Sequence, residues 1–219
     1  MRPWQVIERA DSPDGTLELR RRGARDFLIT LDGRVLMSST AQRSEIALAE
    51  LGCAPLAGRP APRVLVAGLG MGITLRAALD ALPPAARVEV AELNAVVVAW
   101  CRGPLAALTG GAALDPRVDV AVGDVAETIR RAASSAARFD AILLDLYEGP
   151  RDGDDPCFGT AGLAAARAAL ANDGVLCVWS EAPDPAFESR LAAAGFRSVV
   201  RRPGRGGRRH AVTLATPAA

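Results

Sequence analysis

Four carboxylates stand at or just beyond the ends of successive apolar runs in this chain: Glu92, Asp124, Asp145 and Glu181. A fifth apolar run, Val64 to Ala67, leads into a glycine turn in which Gly68, Gly70 and Gly72 form G-x-G-x-G. In open α/β sheets, ligands bind outside the carboxyl ends of the strands, so residues at these ends can act together. Gly68 and Gly70 permit a sharp turn where a Cβ would clash, and they let backbone N–H groups approach a ligand. A dinucleotide fingerprint would need a third glycine at position 73, which is Ile73. The observed spacing is the form usual where an S-adenosyl sulfonium compound is bound. Glu92 is placed to accept hydrogen bonds from both hydroxyls of a ribose.

Asp124, after Gly123, could accept from an adenine amino group or cap the helix that follows. Asp145 ends FDAILLD and opens a long acidic loop containing Glu148, Asp152, Asp154 and Asp155. It could hold a cationic amine or take its proton, or it could organise the next turn. Tyr147, the chain's single tyrosine, is a candidate pocket wall. The expected catalytic set is therefore Asp145, Tyr147 and Glu148. The expected cofactor-facing set is Gly68, Gly70, Met71, Gly72, Glu92, Leu93, Asp124, Val125 and Asp145. Glu181 could contact substrate or stand as a surface carboxylate; Trp100 and Trp179 read as core or pocket wall, and His210 as a partly buried structural histidine rather than a catalytic base.

These residues need a frame. From Arg63 onward, apolar runs alternate with helical patterns, which predicts a doubly wound, Rossmann-like, mostly parallel sheet. Expected strands are 64–67, 88–91, 118–122, 141–145 and 175–179. Expected helices are 72–81, 95–108, 125–136, 160–171 and 185–194. The runs 196–201 and 211–215 would close the sheet as a hairpin. The first sixty residues differ: TLELRRR, RDFLITLD and RVLMSS read as a small antiparallel meander. Asp32-Gly33 is a hairpin signal because both turn positions favour positive φ. A helix over 44–51 and the linker GRPAPR follow. The expected division is 1–57 for the β module with its helix and 58–219 for the nucleoside-binding domain.

Composition narrows the classes. The formal net charge is +1, which argues against a dedicated nucleic-acid or membrane-surface protein. The chain contains no lysine, so Schiff-base and P-loop lysine chemistry are excluded. Cys53, Cys101, Cys157 and Cys177 form no C-x-x-C, and with one histidine no usual zinc set can be assembled. Buried free thiols, no metal and a cytoplasmic location are expected. The basic stretch from Arg201 to Arg209 reads as a solvated loop.

Taken in order, LDGRVLMSS, SEIALAEL, VLVAGLGMGITLRAAL, VEVAELNAVVVAWCR, DPRVDVAVGDVAETIR, FDAILLDLYEGP and GVLCVWSEAP resemble the spermidine synthase family of polyamine aminopropyltransferases. The resemblance covers most of the chain, including the β module. It implies a Rossmann-like core of the class I S-adenosylmethionine-dependent type and a donor, decarboxylated S-adenosylmethionine. It also implies a small amine as acceptor, a place in polyamine biosynthesis, and pairing of two copies through the N-terminal module. By position, Glu92 would hold the ribose, Asp124 the adenine and Asp145 the attacking amine.

The chain departs from the family at three places. Met71 stands where the G-G-D-G motif has an acid that pairs with the aminopropyl amine. Asp145-Leu146-Tyr147-Glu148-Gly149-Pro150 replaces a D-S-x-D-P-like loop, and Leu36 or Met37 replaces a glutamine. Loss of the acid at 71 relaxes exclusion of intact S-adenosylmethionine, whose carboxylate a fixed acid would repel. Methyl transfer to a small molecule and non-catalytic nucleoside binding therefore stay open beside aminopropyl transfer.

Overall fold

The computed structural model describes residues 2–12, 14–146, 149–150, 154–204 and 210–218. Two sheets organise it. The first is antiparallel, with β1 (Gln5–Ser12), β2 (Gly15–Arg22), β3 (Asp26–Leu31) and β4 (Arg34–Ser38) in sequential order. The second has seven strands in the order β10-β11-β9-β8-β5-β6-β7. Its members are β5 (Arg63–Ala67), β6 (Arg87–Glu92), β7 (Val118–Val122), β8 (Phe139–Leu144), β9 (Leu170–Ser180), β10 (Phe196–Arg201) and β11 (Ala211–Pro217). The strands β5 to β9 run parallel, and β11 is antiparallel to both β9 and β10. The doubly wound sheet with an N-terminal antiparallel module is thus the observed architecture.

Alternation along the central strands explains the two layers of helices. Val64 and Val66 face one core; Leu65 and Ala67 face the other. The first core is covered by α1 (Arg43–Cys53), α2 (Ile73–Ala81) and α3 (Ala95–Arg102). The second is covered by α4 (Val125–Ala133), α5 (Thr160–Ala169) and α6 (Pro185–Ala193). A strand buried on both faces must be apolar at every position, which is why these runs are continuous rather than alternating. Leu17, Leu19, Phe27 and Ile29 of the antiparallel sheet join the first core. Gly52 lets α1 approach β8 closely: a Cβ there would lie 2.2 Å from Leu143 Cδ2.

Strand order reverses at β5, whose neighbours are β6 on one side and β8 on the other. The two chain crossovers leaving this point open a crevice at its carboxyl end, the general location of ligand sites in such sheets. Asp32 and Gly33 have φ of 47° and 80°, as the hairpin reading requires. The expected helix over 95–108 stops at Arg102, because Gly103-Pro104 cannot continue it, and short 3-10 turns follow at 106–108 and 112–114. The sequence reading missed β1. It is a polar edge strand with a register break between Val6 and Glu8, so it lacks the alternation that marks a half-buried strand. No helix among the described residues is long and apolar enough to cross a membrane.

Candidate functional site

A cavity of about 530 Å³ opens at the carboxyl ends of β5, β6 and β8 and is roofed by β3, β4 and the start of α1. It brings together Gly68, Gly70, Glu92, Leu93, Val125 and Asp145. Each is held for a local reason. Gly68 has φ of 88°, and a Cβ on it would meet the backbone oxygen of Asp145 at 2.4 Å. Gly70, at φ 51°, faces the thioether of Met37 from β4. Sulfur also caps the turn itself, since the Met71 N–H donates to Met37 Sδ at 3.1 Å.

Glu92 is 7% exposed and ties the glycine turn to the end of β6. Its Oε2 accepts the Leu69 N–H at 2.9 Å, and its Oε1 accepts the Asn94 N–H at 2.8 Å. Each carboxylate oxygen has a second lone pair, so the clamp does not use up its capacity. Asp145 follows β8, its backbone N–H donating to Ala67 O at 2.8 Å. Thr74 Oγ1 donates to Asp145 Oδ2 at 2.5 Å. Burial pushes the Asp145 carboxyl up to about 7; the Thr74 hydroxyl opposes this and the nearby Glu45 carboxylate adds to it.

Other expected residues stand outside the cavity lining. Met71 is 1% exposed, its side chain packed into the first core. Gly72, at φ 78°, is the N-cap of α2. Asp124 caps α4, its Oδ1 accepting from Ala126 N–H at 2.6 Å and Glu127 N–H at 3.3 Å. Tyr147 and Glu148 lie outside the described residues, as do Asp152, Arg205, Arg208 and Arg209. Asp155 accepts from the N–H groups of Cys157 and Phe158 and so shapes the loop before α5. Trp100 is wholly buried, its Nε1 donating to Glu8. All four cysteines are buried and free, and burial pushes the Cys53, Cys101 and Cys157 thiols up to about 12.

The cavity also contains residues outside the expected catalytic and cofactor-facing sets. Glu45, 8% exposed at the start of α1, lines it, and so do Trp179, Glu181 and His210 from the β9 and β11 ends. With Asp14, Glu92 and Asp145 the wall carries acids on several sides, and none of the described arginines lines it. The strand-end position of Glu181 and the pocket-wall reading of Trp179 were the sequence signals for this group; Glu45 and His210 had none. Such a wall favours cations.

Fold and pocket together define a doubly wound, Rossmann-like α/β protein with an appended antiparallel sheet and an acid-lined crevice at the strand-order reversal. No family model matches the chain. The polyamine aminopropyltransferase of Mycobacterium tuberculosis (strain H37Rv) is 33% identical to it over 167 residues, 74% of this chain and 30% of that protein. The chain therefore spans about 30% of the length of this curated relative. The crystal structure of spermidine synthase from Thermotoga maritima superposes with a TM-score of 0.78 at 21% identity, covering 96% of this chain and 72% of that one. A spermidine synthase in complex with the transition state analogue AdoDATO gives 0.76 at 21% identity, covering 96% and 71%. The chain is a spermidine synthase-like member of the polyamine aminopropyltransferase family.

Proposed function

We propose that this protein is a transferase that moves an aminopropyl group from an S-adenosyl sulfonium donor to a small amine. The observation that carries the reading is the charge of the cavity wall. Glu45, Asp145 and Glu181 line one crevice with the glycine turn, and no described arginine lines it. A sulfonium and an ammonium are both cations and suit that wall, whereas the α-carboxylate of intact S-adenosylmethionine would meet like charge without a cationic partner. The decarboxylated donor is therefore preferred.

In this reading Glu92 accepts from the ribose hydroxyls while keeping its clamp on the turn. Leu93 and Val125 flank the base, and Asp124, beside Val125, accepts from the adenine amino group with the lone pairs its cap leaves free. Asp145 holds the acceptor amine in line with the leaving sulfur. Tyr147 and Glu148, the next residues but one and two in sequence, are assigned to the same amine-handling role. The amine nitrogen forms a bond to the methylene next to sulfur, and the carbon–sulfur pair returns to sulfur, leaving neutral methylthioadenosine. The sulfonium is already activated, so the protein's work is orientation and proton removal. The acceptor is a small soluble amine; nucleic acid and membrane have no part in this reading, and no metal is needed. Two copies paired through the β module remain part of the proposal, as does a cytoplasmic setting.

Methyl transfer is the second reading, favoured by one observation: the Met71 side chain lies in the core, so the turn residue offers no acid to the donor's chain. Titrating the protein with S-adenosylmethionine and, separately, its decarboxylated form separates the two. Tighter binding of the decarboxylated form, with methylthioadenosine released when amines are added, is the expected result. Tighter binding of the intact form, with S-adenosylhomocysteine as product, would replace the first reading by the second. Binding of neither would remove both.

A further inference from the structure

The chain has one histidine, and it is wired into the cavity wall. Ser44 Oγ lies 2.7 Å from Glu45 Oε2 and 3.0 Å from His210 Nδ1. Ser44 is 7% exposed, so this hydroxyl cannot turn to solvent. A hydroxyl has one proton to give. An ionised Glu45 is an acceptor only and takes that proton. Ser44 Oγ must then accept from the ring, which places a proton on Nδ1 and leaves Nε2 as a bare lone pair. Among the described residues no group pairs with Nε2. The imidazole and the Trp179 ring meet edge to face with centroids 4.8 Å apart, and Ala211, the next residue, is paired to Ser180 in the sheet. The ring is thus held from two sides, with Glu181 and Asp145 in the same wall.

We infer that His210 Nε2 is the proton acceptor for the incoming amine, with Ser44 and Glu45 as the residues that position it. The inference rests on the transfer reading above and adds a residue to it. An acceptor arrives as an ammonium and cannot attack until it loses a proton. That proton passes to Nε2. The freed nitrogen pair forms the bond to the donor's methylene, and the carbon–sulfur pair stays on sulfur. The imidazolium keeps its Nδ1–H on Ser44, and the Glu45 carboxylate offsets its charge through that hydroxyl. The proton then leaves to solvent, so one proton is released per transfer. Asp145 is left to hold the amine rather than to accept from it.

A single histidine makes the test direct. In protein carrying 15N-labelled histidine, the long-range proton–nitrogen spectrum reports one imidazole. The expected spectrum is that of the Nδ1–H tautomer, and Ser44→Ala should shift it toward Nε2–H, while Ser44→Thr should retain it. An Nε2–H ring in the wild type, or no change in Ser44→Ala, overturns the inference whether or not the protein transfers anything. Turnover supplies the second arm. His210→Gln should lower kcat for methylthioadenosine release by about 10²-fold. Its affinity for the donor should change by less than about twofold, which also reports that it folds. An unchanged kcat in His210→Gln overturns the proton-acceptor role while the transfer reading stands. No turnover by the wild type with any amine, beside intact donor binding, overturns the transfer reading and the role with it.

Discussion

The carboxylate of Glu92 accepts the backbone N–H of Leu69 at 2.9 Å, so the acid at the end of β6 holds the glycine turn that follows β5. The second oxygen does the same for Asn94 at 2.8 Å. A charged acceptor on two backbone donors is among the stronger hydrogen-bond arrangements, and burial makes the donors costly to leave unpaired. Glu92→Ala should therefore lower folding stability by about 2–3 kcal/mol and loosen the turn. If the same side chain also grips the ribose, donor affinity falls by a further ~1.5–3 kcal/mol. Glu92→Gln keeps one acceptor and should lie between wild type and Ala in both respects. Urea denaturation and calorimetric titration read the two effects separately. A destabilised Ala variant with unchanged donor affinity would leave the clamp and remove the ribose role.

Gly68 and Gly70 share positive φ, yet their surroundings differ. A Cβ on Gly68 meets the backbone oxygen of Asp145 at 2.4 Å, and that backbone is pinned by the Asp145 N–H to Ala67 O bond. A Cβ on Gly70 meets only the end of Met37, at 2.5 Å from Cε and 2.8 Å from Sδ. Gly68→Ala should abolish stable folding or cost more than about 3 kcal/mol. Gly70→Ala should cost about 1–2 kcal/mol, mostly the left-handed backbone. Met37→Ala should recover part of the Gly70→Ala loss and none of the Gly68→Ala loss, a coupling that a double-mutant cycle measures directly. Equal losses at the two glycines would show that backbone strain alone decides.

The parts of the fold that sequence reveals are those governed by local periodicity. The runs 64–67 and 141–144 are apolar at every position because both faces are covered, and that pattern needs no knowledge of the neighbours; nearer the sheet edge, Glu89 and Asp119 interrupt the runs around Val88 and Val118. The strand-end acids followed from the same frame. β1 escaped because an edge strand facing water carries no alternation. The role of Met71 was not legible either, since identity at a turn does not say whether the side chain faces ligand or core; here it is buried while its N–H meets Met37. The wall containing Ser44 and His210 was the least legible part. The two are 166 positions apart and meet only because the starts of α1 and β11 converge at the same end of the sheet, where Ala211 pairs with Ser180.

The helix α1 follows the antiparallel module in sequence but packs as part of the α/β layer. It touches α2, β8, β9 and β11, burying Leu48, Ala49 and Cys53. A division near residue 58 separates this helix from the sheet face it covers. We expect the whole chain to unfold in one transition, with tryptophan fluorescence and far-UV circular dichroism coincident in urea. A fragment of residues 58–219 should lack a cooperative transition, because the face around Leu143 and Cys177 loses its cover. A stably folded 58–219 fragment would show that the two parts are independent units.

Asp145 gives the chain a pH dependence whose sign is fixed by its surroundings. Its carboxyl is pushed up from 3.8 to about 7, chiefly by burial. A raised carboxyl contributes stability that is complete below about 3.8 and is lost as pH rises through about 7, because the unfolded chain ionises first. Over that window the wild type should lose stability relative to Asp145→Asn with a slope of at most about 1.4 kcal/mol per pH unit. Cation binding works in the opposite direction. A sulfonium or ammonium beside Asp145 favours the ionised form, so binding below pH 7 should release a proton, and affinity should weaken as pH falls from 7 toward 5. Calorimetric titration in buffers of different ionisation enthalpy counts that proton directly. Superimposable stability curves for wild type and Asp145→Asn, with no proton released on binding, would show that Asp145 ionises as freely in the folded chain as in water.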